Sequence, residues 1–325
     1  MMKESRVESR ESRASDWLVA LAVLVLVITG GLPVLFGGRF VDNAVAIHFA
    51  VVGLVLVLTW RNGVPRRGLT YGLFASVLVC LWGSLAQVDP QTGELMGFHL
   101  RGDRVLFPFA WPGGIGCFAA MAGPILFAAD ATWMRVIGVV ACVAVLVLAG
   151  SKAALLGSLA ATLIMLRGRA FRVHALACFA LAVLIAIAVI PRQPGSFITS
   201  RVDYWHAAIL TIADHPFLGV GAGGFGDHFT HYLPNGHYAR FAHCDPLHLA
   251  AEHGIWAGGV YVALIGYVLA RGWHSTLDAR PSTAALSAFA TCSLFDYPLY
   301  APSLAILAAL IAGSILAKPL EAKPL

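Results

Sequence analysis

Between Arg201 and Gly258 runs the one long polar interval of this 325-residue chain, RVDYWHAAILTIADHPFLGVGAGGFGDHFTHYLPNGHYARFAHCDPLHLAAEHGIWAG. Eight of the twelve histidines fall in it, from His206 to His253, so the first chemistry to consider is that of imidazoles near neutral pH: taking and returning protons, or ligating a metal. His228-x-x-His231 has a zinc-like spacing, but His243, His248 and His253 recur at intervals of five. On a helix five residues advance about 500°, so successive members point about 140° apart and do not share an ion. A solvated or interfacial histidine is the default reading for most of them. Arg201-x-x-x-Trp205 places a cation and an aromatic one helical turn apart, which by residue type alone reads as an interface anchor. Gly221-x-Gly223-x-x-Gly226 fits a dinucleotide fingerprint only formally, because no βαβ unit can be placed around it. These glycines instead let backbone approach something closely, either a neighbouring helix or a phosphate.

The rest of the chain has to position that interval, and it is built of apolar runs. Hydrophobic residues make up 59% of the sequence, charged residues only 12%, and the mean hydropathy is +0.78. Soluble domains carry about a quarter charged residues. The expected fold class is therefore all-α: a polytopic membrane protein with about ten transmembrane helices and one long outward loop. Residues 1–16 form a mixed-charge arm and residues 17–325 a single membrane domain, with 191–248 as the loop. The expected spans are 17–36, 41–60, 69–88, 105–127, 134–149, 153–166, 173–190, 249–270, 284–294 and 301–317. Basic clusters at 61–67, 167–172 and 271–280, with the N-terminal arm and the lysine-bearing tail, all land on one side of this alternation, which the positive-inside rule makes the cytoplasm. Both termini are then cytoplasmic. The histidine-rich loop, the 89–104 loop, the Ser151-Lys152 turn and Phe295-Asp296-Tyr297 face outward. A net charge of +5 is no nucleic-acid signal when its basic residues flank apolar runs. Five cysteines lie within those runs and only Cys244 lies in the loop, which is not a disulfide framework.

Ala242-His243-Cys244-Asp245-Pro246-Leu247-His248-Leu249-Ala250-Ala251-Glu252 followed by Gly254 resembles the outward-loop signature of the O-antigen ligase and polysaccharide polymerase superfamily, commonly written AHNDYLQLLAE with a following glycine. Upstream, Arg201-x-x-x-Trp205 with His215-Pro216-Phe217-Leu218-Gly219-Val220-Gly221 and Phe225 is similar to that family's R-x-x-x-W…hPl-G-x-G signature. Ser151-Lys152-Ala153 resembles its Ser-Arg-Gly turn, and Phe295-Asp296-Tyr297 its late outer aspartate. The chain departs from the pattern at Cys244 for Asn, Pro246 for Tyr, His248 for Gln and Lys152 for Arg.

The resemblance implies a GT-C-like, metal-independent glycosyltransferase of lipopolysaccharide or other polysaccharide biosynthesis, with no cofactor. Its donor would be an undecaprenyl-diphosphate-linked glycan. The acceptor would be a hydroxyl on a glycan, lipid A core or protein, at the outer face of a bacterial inner membrane. The departing diphosphate gains negative charge, which without a metal must be met by fixed cations. Arg201 is the first candidate, for its planar two-pronged guanidinium, with Lys152 and Arg240 second. His243 is the candidate general base, and the alternative that it stays protonated and steadies the diphosphate remains open. Asp245 or Glu252 would orient it, with Gly221 and Asp296 supporting the site. Attack from the face opposite the leaving group would invert the anomeric centre. Ligase chemistry ranks ahead of repeat-unit polymerisation of the same kind. A lipid or sugar transporter is the alternative from another class; its expected mark is an ionisable residue within the membrane, for which His48 is the candidate. An inactive scaffold of the same fold is the third reading.

Overall fold

The computed structural model describes residues 42–86, 108–109, 111–166, 196–233, 238–275 and 277–317, with backbone alone at 42–50, 86, 196–200 and 277. The expectations for the N-terminal arm, the 17–36 and 173–190 spans, the 89–104 loop, the 167–172 cluster and the tail lie outside these residues. So does the side chain of His48.

Every regular element among the described residues is helical. In chain order they are α1 (Asp42–Asn62), α2 (Arg66–Ala86), α3 (Pro112–Phe127), α4 (Thr132–Ala149), α5 (Lys152–Met165), α6 (Ser196–Asp214), α7 (Phe225–Tyr232), α8 (Asp245–His253), α9 (Ile255–Trp273), α10 (Arg280–Phe295) and α11 (Pro302–Leu316), with short 3-10 turns at Leu277–Ala279 and Pro298–Tyr300. Their boundaries are written locally. Proline occupies the first turn of α3, α8, α10 and α11, where its missing N–H costs no intrahelical bond. Gly150 ends α4 in a left-handed conformation (φ 56°), and the Ser151 hydroxyl then caps α5 by accepting the Ala154 N–H at 3.3 Å. This Gly-Ser turn reverses the chain within two residues.

The segments Arg66–Leu85, Thr132–Ala149 and Ile255–Trp273 are long and apolar enough to cross a membrane, and Val51–Asn62, α3, α5 and α11 are shorter apolar helices. One apolar core unites α2, α3, α4, α5, α9, α10 and α11; α10 lies in its middle, packed on α5, α3, α11 and α9. Small residues line it there, including Ala284, Ala285, Ala288 and Cys292, as expected where helices approach closely without a large driving force from water. A second, smaller core of Ala207, Ala208, Phe225, Phe229, Ala239, Ala242 and Ala251 lies under α6, α7 and α8.

The bundle has two chemically different ends. At one, Arg66 donates to the Ala128 carbonyl at 2.8 Å and pairs with Asp278 at 3.7 Å, Arg67 pairs with Asp130 at 3.8 Å, and Arg271 donates to the Leu316 carbonyl at 3.3 Å. The connections at 61–67 and 271–280, grouped by their charge, therefore meet there, together with 128–135, which charge did not mark. At the other end lie Trp111, the α4–α5 turn, residues 238–254 and Asp296.

Two expectations need correction. The interval from Arg201 to Gly258 is not one loop: α6, α7 and α8 fold within it around their own core. The expected span at 249–270 starts instead at Ile255, because Gly254 takes φ 93° and ψ 157°, a conformation open essentially to glycine alone. This break turns α8 away from α9, so Leu249 to His253 belong to the cap formed with α6 and α7. A Cβ at Gly254 would overlap the Phe217 carbonyl and one at Gly219 (φ 65°) the Glu252 carbonyl, so both glycines are required by backbone contact.

Candidate functional site

Helix α6 presents Arg201, Tyr204 and Trp205 on one face, at spacings that bring side chains together. Tyr204 stacks on the His243 ring, with centroids 5.1 Å apart and planes 20° from parallel, and Trp205 Nε1 donates to the His243 carbonyl at 3.5 Å. His243 has φ 52°, which among the described residues makes it the one non-glycine in the left-handed region. That conformation costs roughly 1–2 kcal/mol. Such strain persists where surroundings over-determine it, and it concentrates at active sites. Here it aims the ring back across the mouth of the bundle.

The ring meets Asp296. His243 Nδ1 lies 3.1 Å from Asp296 Oδ1; Trp111 Nε1 donates to Oδ2 at 3.2 Å, and the Tyr297 N–H to Oδ1 at 3.1 Å. A carboxylate only accepts, so Nδ1 carries the hydrogen and Nε2 bears the lone pair of the neutral ring. Asp296 ends α10 directly over the first turn of α3, where a Cβ at Gly113 would overlap its Oδ2; the helix N-terminus favours the anion placed there. Tyr297 stacks between Trp111 at 4.8 Å and Phe241 at 4.3 Å and meets His243 edge-on at 4.9 Å. Burial pulls the Arg201 guanidinium below its ordinary value, while the charge of Asp296 opposes that pull. Arginine remains a cation at neutral pH under such opposing influences. The charge of Arg201 is thus felt at Asp296.

The other residues singled out by the sequence fall into place around this cluster. Lys152 begins α5 at the same end and is exposed, and Arg240 lies over the Phe241 ring at 5.6 Å. Asp245 and Glu252, expected to orient His243, are committed elsewhere; Asp296 orients it instead. Asp245 is fully buried at the start of α8, and its Oδ2 accepts the Leu299 N–H at 3.1 Å. Burial pushes its carboxyl well above the usual range, and it ties α8 to the turn after α10. Gly221 (φ 85°) gives its N–H to the Glu252 carbonyl at 2.9 Å, beside a Val220 bond to the Ala251 carbonyl at 3.0 Å. Gly223 donates to Glu252 Oε1 at 2.9 Å. These glycines serve close packing on α8, the first of the two uses left open by sequence, and their N–H groups are not turned to a phosphate. Cys244 is buried, and burial raises its thiol pKa, which unfits it as a nucleophile. His215 and His228 meet edge-on at 5.2 Å; no group of three His, Cys, Asp or Glu converges as metal ligands among the described residues.

Glu252 and His248 form a buried pair, Oε1 to Nε2 at 3.4 Å and each 1% exposed. Burial raises the Glu252 carboxyl to about 7 and lowers the His248 imidazole to about 3. Folded protein therefore holds a Glu252 proton that unfolded chain has released between pH 4.5 and 7, which makes stability fall as pH rises through that window. It also refuses a His248 proton that unfolded chain takes up between pH 3 and 6.5, which makes stability rise with pH. The two slopes oppose each other where they overlap, each about 1.4 kcal/mol per pH unit at full effect. Glu252→Gln removes one of them, so the melting temperature of this variant should go on climbing from pH 4.5 to 6.5, where the parent is nearly flat, when followed by thermal unfolding in detergent.

Fold and site together define a helical integral membrane protein carrying, on one end of its bundle, a histidine–carboxylate dyad beside a partly buried arginine. Residues 137–262 match the O-antigen ligase family model. The matched segment runs from α4 into α9, taking in Lys152, Arg201, Arg240, His243 and Glu252; Asp296 lies beyond it. A comparison with curated proteins finds no match.

Proposed function

We propose that the protein transfers a glycan from an undecaprenyl-diphosphate carrier to an acceptor hydroxyl at the outer face of the bacterial inner membrane, as an O-antigen ligase. The full architecture in this reading is a GT-C-like bundle of about ten spans with both termini in the cytoplasm. The observation that carries the proposal is the contact of His243 Nδ1 with Asp296 at 3.1 Å beside Arg201. His243 Nε2 takes the proton of the acceptor hydroxyl as its oxygen attacks the anomeric carbon. Asp296 holds Nδ1–H and stabilises the imidazolium that forms. The bond from the anomeric carbon to the phosphate oxygen breaks on the opposite face, which inverts the centre, and its electron pair leaves with undecaprenyl diphosphate. Arg201 binds that diphosphate, with Lys152 and Arg240 adding charge, so the step needs no metal.

The same dyad serves repeat-unit polymerisation if the acceptor is another carrier-linked glycan, and transfer onto protein if it is a protein hydroxyl. Deletion of the gene separates these outcomes. Ligase function is expected to remove glycan-capped lipopolysaccharide while carrier-linked polymer persists. Loss of long polymer with single-unit capping retained would identify a polymerase instead, and unchanged glycans would reject the reading.

A further inference from the structure

The left-handed turn bearing His243 is held from the protein interior by side chains that take no part in the proton transfer. Ala242 is fully buried, and its N–H is donated to His248 Nδ1 at 3.4 Å. The other nitrogen of His248 faces Glu252 Oε1. Glu252 is anchored in turn by the Gly223 N–H, by the Phe225 N–H at the start of α7 and by the Tyr300 hydroxyl at 3.4 Å. Aromatic rings close the space around His248, with Tyr300 at 4.6 Å and Phe225 and Phe241 each at 5.3 Å.

We propose that His248, backed by Glu252, is a positioning residue that locks the Ala242–His243 turn to the glycine segment and so fixes where the general base points. This inference rests on the glycan-transfer reading above. Accepting at Nδ1 and donating at Nε2 requires one neutral tautomer of His248. Because the ring is sealed from solvent, water does not replace it as the acceptor for Ala242. Without that acceptor, a strained turn loses a restraint one residue before the reacting imidazole, and small misplacements of a catalytic group carry large rate costs. Glutamine reproduces the pattern, with an amide oxygen for the Ala242 N–H and an amide N–H for Glu252. Leucine fills the space and supplies neither.

The test compares parent, His248→Gln and His248→Leu as full-length protein in lipid nanodiscs, with an undecaprenyl-diphosphate-linked repeat unit as donor and lipid A core as acceptor. Released undecaprenyl diphosphate reads turnover by either ligation or polymerisation. His248→Leu should lower kcat by about 30-fold or more with little change in the donor KM, while His248→Gln stays within about threefold of the parent. Hydrogen exchange of the 240–244 amides should accelerate about tenfold in His248→Leu alone. Parent-like kcat in His248→Leu overturns the proposal, as does an equal loss in both variants. If His248→Leu fails to fold, His248→Gln decides: retained kcat and exchange support the lock, and loss of either overturns it. If the parent releases no undecaprenyl diphosphate, glycan transfer has failed as a reading, and the exchange data alone decide whether His248 holds the turn.

Discussion

His243→Ala is expected to lower glycan transfer by about 10²- to 10⁴-fold, the usual worth of a positioned general base, while membrane insertion and monodispersity stay those of the parent. The side chain is 24% exposed, so its removal opens little core. What disappears is the lone pair on Nε2, which the Asp296 contact makes available by holding the hydrogen on Nδ1. Asp296→Asn probes the same point without deleting the ring. Its amide N–H can donate to Nδ1, which drives the hydrogen to Nε2 and leaves the base in the wrong tautomer. Transfer should then fall nearly as far as in His243→Ala. Product release from a radiolabelled carrier-linked glycan, measured in proteoliposomes, checks both variants; normal turnover in His243→Ala would remove His243 from the mechanism.

The second large effect belongs to Arg201. Arg201→Lys retains a cation but loses the planar pair of donors that can meet two phosphate oxygens. Turnover should drop about 10- to 100-fold, and Arg201→Ala should lose about 10²- to 10³-fold, comparable with removal of a donor that stabilises developing charge. The ordering of parent, lysine and alanine variants is the discriminating result. An anchor at the membrane interface would tolerate lysine, whose long side chain also reaches headgroups, so equal turnover in the parent and in Arg201→Lys would return Arg201 to that role. The structural reason to expect otherwise is that Arg201 lies one helical turn before Tyr204 and Trp205, both of which contact His243.

Much of the site was legible in the chain because membrane constraints are written in composition. Apolar runs announce helices, and the flanking Arg66, Arg67 and Arg271 do gather at one end of the bundle. The break at Gly150 to Lys152 was likewise legible, whereas α3 and α10 begin at Pro112 and Arg280 rather than at 105 and 284. The misplacement of the span at 249–270 arose because Leu249 to Ala251 are as apolar as the helix that follows. Only the φ of Gly254, set by its contact with the Phe217 carbonyl, separates cap from span. The long interval read as loop for a related reason: its helices are amphipathic, α7 and α8 are also short, and all three bury their apolar faces against one another.

By itself, the sequence determined residue chemistry and local order: a histidine and an arginine in the long polar segment, glycines where backbone must approach backbone, and apolar stretches that form helices. Which carboxylate meets His243 was decided only by tertiary structure. Asp245 and Glu252 are nearer in sequence, but α8 turns them inward to Leu299 and His248. Asp296, 53 residues away, reaches His243 because α10 ends over the first turn of α3 at the height where α6 clamps the left-handed turn. Spacing along a chain encodes neighbours on one helix. It does not encode which helix end arrives opposite which turn, because that follows from how whole faces pack.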